Sequence, residues 1–596
     1  EGAHTMSGDM KRHLPTQFDR DGKQYGEGCL TPESIGTCDE IGFLPERVIP
    51  IIFLPGIMGS NLRMTPERQA FIEKNNDITW RPDLTLSEAL CEFGFADPAK
   101  RQLMFDPEAT EVDSYDTDPD QASGSKDHDY WTRSKVEVDA NSPMLCNDAR
   151  SNPRFKSAKR KACERGWGEV FFGSYGTVLN RLETMMNSMF SPEGHLNPGW
   201  RDVVDRFPQV WQATEKLPEV TLDDLKQISA NCCFPVHVCG YNWLQSNGDS
   251  AKKVATRIEA IMADYQKKKL RCEKVIVVTH SMGGLVGRAL CHPAYGNIED
   301  KVLGIVHGVQ PAIGAAAAYY RMLAGFETPN IDSWLGKMAG RLTNWLVMGD
   351  TGQEVMPVLA NGCGGMELLP NQAYGNHWLR VVDRKGQTLY SLPEKGDPYE
   401  EIYMRDGKEA WWGLLREAWI NPAKQPDVGL VSTQKLLGKV REFHQTITPY
   451  YHPLSYAHYG CDPQRRAFKE IVWEATRANF SGEPPTDIHP RDWIIHPENH
   501  YYKEGKSFVT LKPGTAHNDP GKPPPVPVFW AQMRPAADPG DQTVPVHSAD
   551  HQRDSGKFKA IFRQTGYEHQ ASYQDEAALA STLYSIVQIA KTMKWA

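Results

Sequence analysis

No unbroken apolar run in the chain approaches the about 20 residues that a bilayer-spanning helix needs, so no membrane span is expected. No secretory signal peptide is visible, and the sequence opens on Glu1 rather than Met. Cysteine is sparse: 12 in 596 residues is too few for a disulfide scaffold, and no CxxC pair offers a zinc site. Cys29 and Cys38 are spaced to bridge in an oxidising compartment; free thiols are expected instead, because disulfides follow compartment. Basic charge is not in excess either. The balance is 66 Lys and Arg against 75 Asp and Glu, a net −9, which argues against nucleic-acid binding. A lipid surface touched by apolar loops stays open. Hydrophobic residues at 40% and charged residues at 24% describe an ordinary globular chain, of two or three domains at this length.

What is present is a strand–helix alternation. Val48–Leu54 reads as a buried strand running into Pro55-Gly56, and Val236–Cys239 as a second. A helix follows with Val254, Ala255, Ile258, Ile261, Met262 and Tyr265 on one stripe and Asp249 or Ser250 as its N-cap. Lys274–Thr279 has the pattern of a strand covered on both faces, followed by a helix over 283–291 and a strand over 302–306. The alternation returns in strands over 527–532 and 557–563 and a helix over 575–594. This order predicts an α/β fold: a mostly parallel sheet with helices on both faces. Two stretches exceed a minimal sheet. The expected layout is an N-terminal arm over 1–45, a core over 46–320 carrying an insertion at about 64–165, a cap or lid over 321–520, and the rest of the core over 521–596.

After strand 274–279 comes Thr279-His280-Ser281-Met282-Gly283-Gly284 and then a helical pattern. This is the strand–turn–helix setting of a G-x-S-x-G nucleophile elbow. Positions two before and two after the serine must be small so that strand and helix can approach. Gly283 satisfies this, and Thr279 in place of Gly implies a slightly shifted helix. The turn sets the Ser281 hydroxyl at a helix N-terminus, which favours a developing anion.

These residues resemble an α/β-hydrolase of the lipase type. Leu54-Pro55-Gly56-Ile57-Met58-Gly59-Ser60, Gly240-Tyr241-Asn242-Trp243 and Glu367-Leu368-Leu369-Pro370-Asn371 resemble motifs of the lecithin:cholesterol acyltransferase-like lipases. The hydrolase resemblance covers about 46–63, 166–320 and 521–596. Over its whole length the chain resembles bacterial type VI secretion phospholipase effectors, of the third lipase-effector group.

The resemblance implies site residues. One oxyanion donor is expected to be the N–H of Met282, after the nucleophile, and the other Ile57, with Met58 second. The triad of this fold runs Ser, Asp or Glu, then His. Gly540-Asp541-Gln542-Thr543-Val544-Pro545 is similar to the acid segment of lipases, so Asp541 is the expected acid and Asp538 its rival. His569 in Gly566-Tyr567-Glu568-His569-Gln570 is the expected base, with His547 and His551 as minor alternatives. His280 is expected to pack or hydrogen-bond locally.

Asp116, Asp118, Asp120 and Asp127 stand at calcium-loop spacings, but Gln121 replaces the turn glycine, so a solvated acidic loop is expected. Trp334, Trp345, Trp411 and Trp412 lie on apolar stripes that are either core or the rim of a lid over Ser281. The expectation is therefore a serine esterase acting on membrane phospholipids with no metal or organic cofactor. The resemblance implies an antibacterial toxin with an immunity protein and a type VI carrier or adaptor. It also implies delivery without a signal peptide and action in a target bacterium's periplasm. An acyltransferase of the same fold and a non-catalytic binding scaffold remain the alternatives.

Overall fold

The computed structural model describes residues 10–28, 37–83, 96–113, 135–150, 155–191, 193–326, 349, 351–477, 489–495, 506–511 and 528–596. Its centre is a six-stranded sheet, mostly aliphatic in its first four strands in chain order and more polar in the last two. The strands are β1 (Ile51–Leu54), β2 (Val236–Val238), β3 (Val275–His280), β4 (Val302–Gly308), β5 (Ser455–Gly460) and β6 (Phe558–Gln564). They lie in the order β2-β1-β3-β4-β5-β6, every neighbour parallel. A strand alternates its side chains between two faces, so a sheet covered on both sides needs apolar residues at every position. Ile52, Leu54, Val275 and Val277 enter one core with helices α2 (Asn247–Lys267) and α3 (Gly283–Cys291). Ile51, Phe53, Ile276 and Val278 enter the other with α1 (Phe172–Asn187) and α5 (Glu576–Ala590). A further helix, α4 (Val546–Asp554), precedes β6. The expected α/β architecture with helices on both faces is present. The N-cap of α2 is Ser246, whose hydroxyl accepts from Gly248 N–H, rather than Asp249 or Ser250.

Two strand expectations need correction. Val528–Met533 does form a strand, but it pairs antiparallel with Ile471–Arg477 and Lys506–Leu511 in a second six-stranded sheet. The position expected for it in the main sheet is taken by β5, which lies inside the stretch assigned to the cap. The chain leaves β5 through Asp462–Ala467 and returns through Asp538–Gly540, which pair with each other. The second sheet is built from the strands between these two segments together with Leu379–Val382 and Thr388–Leu392, so core and cap segments interleave across the expected boundary.

The aromatic stripe at 411–412 belongs to this second sheet. Trp411 is buried, stacked on Trp493 with ring centroids 5.8 Å apart and edge-on to Trp473 at 5.4 Å. It is core. Trp334, Trp345, the 116–127 loop and Cys29 lie outside the described residues. The insertion near 64–165 contains a three-stranded antiparallel sheet, Leu62–Met64 with Ile78–Trp80 and Thr110–Val112, whose Trp80 is buried. Among the described residues no helix is long and apolar enough to cross a membrane.

The C-terminal ends of β3, β4 and β5 bury His280, His307 and His458. Burial pushes the His458 imidazole from its ordinary 6.5 down to about 3, and burial together with His569 does the same to His280. Burial also brings His444 down to about 4. A folded-state pKa below the unfolded one means the unfolded chain binds more protons, so stability falls as pH drops from 6.5 toward these values. Each neutral buried imidazole then costs about 2 kcal/mol at pH 5. His458 finds no hydrogen-bond partner among the described residues and lies edge-on to Tyr573. His458→Phe should therefore gain about 1–2 °C in Tm at pH 5 relative to its effect at pH 8. Melting curves of both proteins at both pH values test this; an equal difference would mean the ring is not held neutral.

Candidate active site

Ser281 follows β3 directly and adopts a left-handed backbone with φ of 53°. Its N–H donates to Gly308 O at 2.9 Å, tying the turn to β4. The requirement for Gly283 is explicit: a Cβ there would lie 2.5 Å from the carbonyl oxygens of both Leu54 and Pro55. Thr279, on the other side of the serine, is accommodated by a second glycine. A Cβ at Gly287 would stand 3.1 Å from the Thr279 methyl, so α3 yields the room one turn further on. Gly287 was the signal in the sequence that the Thr279 substitution is compensated.

Ser281 Oγ lies 2.8 Å from His569 Nε2, and His569 Nδ1 lies 2.8 Å from Asp541 Oδ2. All three side chains are buried. The second carboxylate oxygen of Asp541 accepts the N–H groups of Val544 at 2.7 Å and Thr543 at 3.1 Å. His569 N–H also donates to Asp541 O at 2.8 Å, so backbone and side chain hold this pair together. Asp538 sits in the ribbon beside Ala467. His547 points to Tyr374 O and His551 to the Tyr451 hydroxyl. None of these three is hydrogen-bonded to Ser281 or His569 among the described residues. His280 is no bystander: its ring joins the Tyr175 hydroxyl to His569 O.

The loop after β1 turns tightly, with Gly59 N–H donating to Gly56 O at 3.0 Å. In a planar trans peptide the N–H of Ile57 points opposite to that carbonyl, away from the turn. Met58 is left-handed, φ 60°, and its carbonyl accepts Trp80 Nε1–H at 2.6 Å, so the small sheet of the first insertion braces the loop. No hydrogen bond among the described residues uses the N–H of Ile57 or Met282.

Ser281 opens into a cavity of about 530 Å³. Its apolar lining includes Ile57, Met58, Pro311, Ala315, Ala318, Leu359, Leu368, Phe468, Met533 and Val544. Arg321, Arg466, Gln532, Gln542, Glu568 and Gln570 supply polar atoms. Residues within 315–326, 359–368, 466–468 and 532–536 thus line the cavity beside the serine. Of the two readings left open for Trp411 and Trp412, core or rim, the rim is not met, since neither lines the cavity. Among the described residues no group of three His, Cys, Asp or Glu side chains is placed to hold a metal ion.

A model of the PGAP1-like alpha/beta domain matches residues 245–349, the stretch that carries α2, the elbow and β4. No curated protein matches the chain by sequence. Among solved structures, the Tle4–Tli4 complex contains a chain 27% identical to this one. The match covers 92% of this chain and 99% of that one, with a TM-score of 0.68. Phospholipase PlaB from Legionella pneumophila is 12% identical over 51% of this chain and 83% of its own, with a TM-score of 0.13, below the level of a common fold. These matches do not carry the number of the effector group expected above. The sheet order, the elbow and the near full-length match give one conclusion: the chain has the α/β-hydrolase fold.

Proposed function

We propose that the chain is a serine esterase that hydrolyses acyl ester bonds of membrane phospholipids. One observation carries the reading: Ser281, His569 and Asp541 are hydrogen-bonded in series, each link 2.8 Å, at the end of a largely apolar cavity. In this reading Ser281 Oγ attacks the ester carbonyl while His569 Nε2 takes its proton. The tetrahedral oxyanion is held by the N–H groups of Ile57 and Met282, each donor of this kind lowering the barrier by about 3–4 kcal/mol. His569 then gives the proton to the leaving lysolipid alcohol. Water, deprotonated by His569, releases the fatty acid from Ser281. Asp541 keeps the proton on His569 Nδ1 and stabilises the imidazolium. The cavity takes the acyl chain, which needs an apolar slot of this kind.

The likeness to the Tle4 chain of a Tle4–Tli4 complex supports the wider reading: a type VI secreted antibacterial toxin with an immunity partner and a secretion carrier or adaptor. Delivered by that route, it would act on phospholipid in the periplasm of the target cell. An acyltransferase would use the same residues with an alcohol in place of water, and product identification separates the two. A scaffold without activity is excluded by any turnover.

The purified chain should convert labelled phospholipid vesicles to fatty acid and lysolipid. Ser281→Ala should reduce this at least 10⁴-fold while the protein stays folded, since loss of a triad nucleophile costs about 10⁶ in kcat. Asp541→Asn should lower kcat by about 10⁴ through the wrong His569 tautomer, and Asp538→Asn far less. The reverse ranking would place the acid elsewhere.

Leu368→Trp tests the cavity. It should lower kcat/KM for long-chain esters at least about tenfold while leaving acetate esters within about threefold, because bulk in the slot costs only the substrate that fills it. Equal losses on both would remove the cavity from acyl binding.

A further inference from the structure

We infer that Tyr175 and His280 form a positioning device that holds the loop after β1 and the base His569 in fixed register with Ser281. The inference rests on the serine esterase reading above and adds two residues to it. The Tyr175 hydroxyl, on α1, lies 3.1 Å from Gly56 N and 3.0 Å from His280 Nδ1. His280 Nε2 lies 3.0 Å from His569 O. Both side chains are about 1% exposed.

The proton positions follow from chemistry. His569 O can only accept, so His280 Nε2 carries the hydrogen. Burial and the nearby His569 keep the imidazole neutral, down to about 3, so Nδ1 is an acceptor. Burial raises Tyr175 to about 12, so its hydroxyl keeps its proton and donates it to that nitrogen. The same oxygen then accepts the Gly56 N–H. Every donor in the chain Gly56–Tyr175–His280–His569 meets one acceptor. Reversing a link would leave a buried donor facing a donor, or charge the ring.

The glycines of the loop are a second, independent sign. A Cβ at Gly59 would lie 2.7 Å from the Tyr175 hydroxyl, and a Cβ at Gly56 would lie 2.9 Å from His280 Nδ1 and 3.0 Å from Ser281 Cβ. The loop is glycine where this pair occupies the space. Gly56 precedes Ile57, so fixing its N–H sets the peptide ahead of the proposed oxyanion donor. At the other end the bond to His569 O fixes the backbone that carries the base. Ser174, beside Tyr175, adds a parallel tie, donating to Gln570 O at 2.9 Å.

The device should affect the transition state more than binding, because it aims groups rather than touching lipid. The test uses the full chain with a fluorogenic phospholipid and with fluorophosphonate labelling of Ser281. Tyr175→Phe and His280→Gln should each lower kcat about tenfold with KM within about twofold. Gln keeps a donor toward His569 O but removes the ring nitrogen that accepts from Tyr175, so the double variant should lose little more than either single one. If either single variant fails to fold, the other decides alone. Unchanged kcat, or kcat and KM worsening together in step with a lowered Tm, would overturn the device and leave a packing role. A parent chain that neither labels at Ser281 nor cleaves the lipid would bring down the esterase reading, and this inference with it. An active parent with unaffected variants brings down this inference alone.

Discussion

The approach of the first turn of α3 to the end of β1 is the constraint on which the rest depends. The Leu54 and Pro55 carbonyls occupy the space where any side chain at position 283 would begin. That proximity forces the reversal at Ser281 into a left-handed conformation, which costs a non-glycine residue about 1–3 kcal/mol. Neighbouring strands offset the cost: Ser281 N–H is taken by Gly308 of β4, and β1 and β4 flank β3 in register. Because β1 ends at the same place, its loop delivers Ile57 beside the serine without a further element. The positions of Ser281 and of the loop N–H are therefore consequences of one packing contact.

A different interaction secures the far end of α3. Arg288 is fully buried and has no carboxylate partner among the described residues. Its guanidinium instead donates to the carbonyls of Ile447 at 2.7 Å, Thr448 at 2.9 Å, Tyr450 at 3.0 Å and Ala312 at 2.9 Å, and lies over the Tyr451 ring. Ile447 ends the helix Leu430–Ile447, where unpaired carbonyls concentrate partial negative charge. A helix C-terminus thus serves as counter-charge to the cation. The helix that carries the serine is locked to a cap helix through atoms every residue possesses, which is why no charge pair in the sequence announced it.

What could be read from the sequence follows the same division between local and distant causes. β1, β3 and β4 are aliphatic runs, and their period is the cause of their burial. Ser281, Asp541 and His569 could be singled out by order along the chain and flanking turns, and the fold brings them within hydrogen-bond distance of one another. β5 was not, since Ser-Tyr-Ala-His-Tyr-Gly holds no branched aliphatic residue and sits in an aromatic stretch. Val528–Met533 was legible as a strand, but nothing local says which sheet it joins. His280 looked local because its partners, Tyr175 and His569, are 105 and 289 residues away. The Trp411 stripe was a true apolar face, and only the second sheet shows what it covers.

The position of Asp541 explains why so long an insertion is tolerated. Asp541 follows β5 in space but not in sequence, since residues 461–540 intervene. Closing a longer loop adds cost only logarithmically, so the length itself matters little if the ends are held. They are held by the ribbon of Asp462–Ala467 and Asp538–Gly540, which returns the chain so closely that a Cβ on Gly460 would touch Asp541 at 2.7 Å. Arg466 and Phe468, as the chain leaves, and Met533, Pro535 and Ala536, as it returns, also line the cavity. The segment that delivers the carboxylate to His569 thus also builds part of the cavity wall. The ribbon is thus the chain connection between the second sheet and the carboxylate. The Val544 and Thr543 N–H bonds and the His569 backbone bond fix Asp541 from the core side.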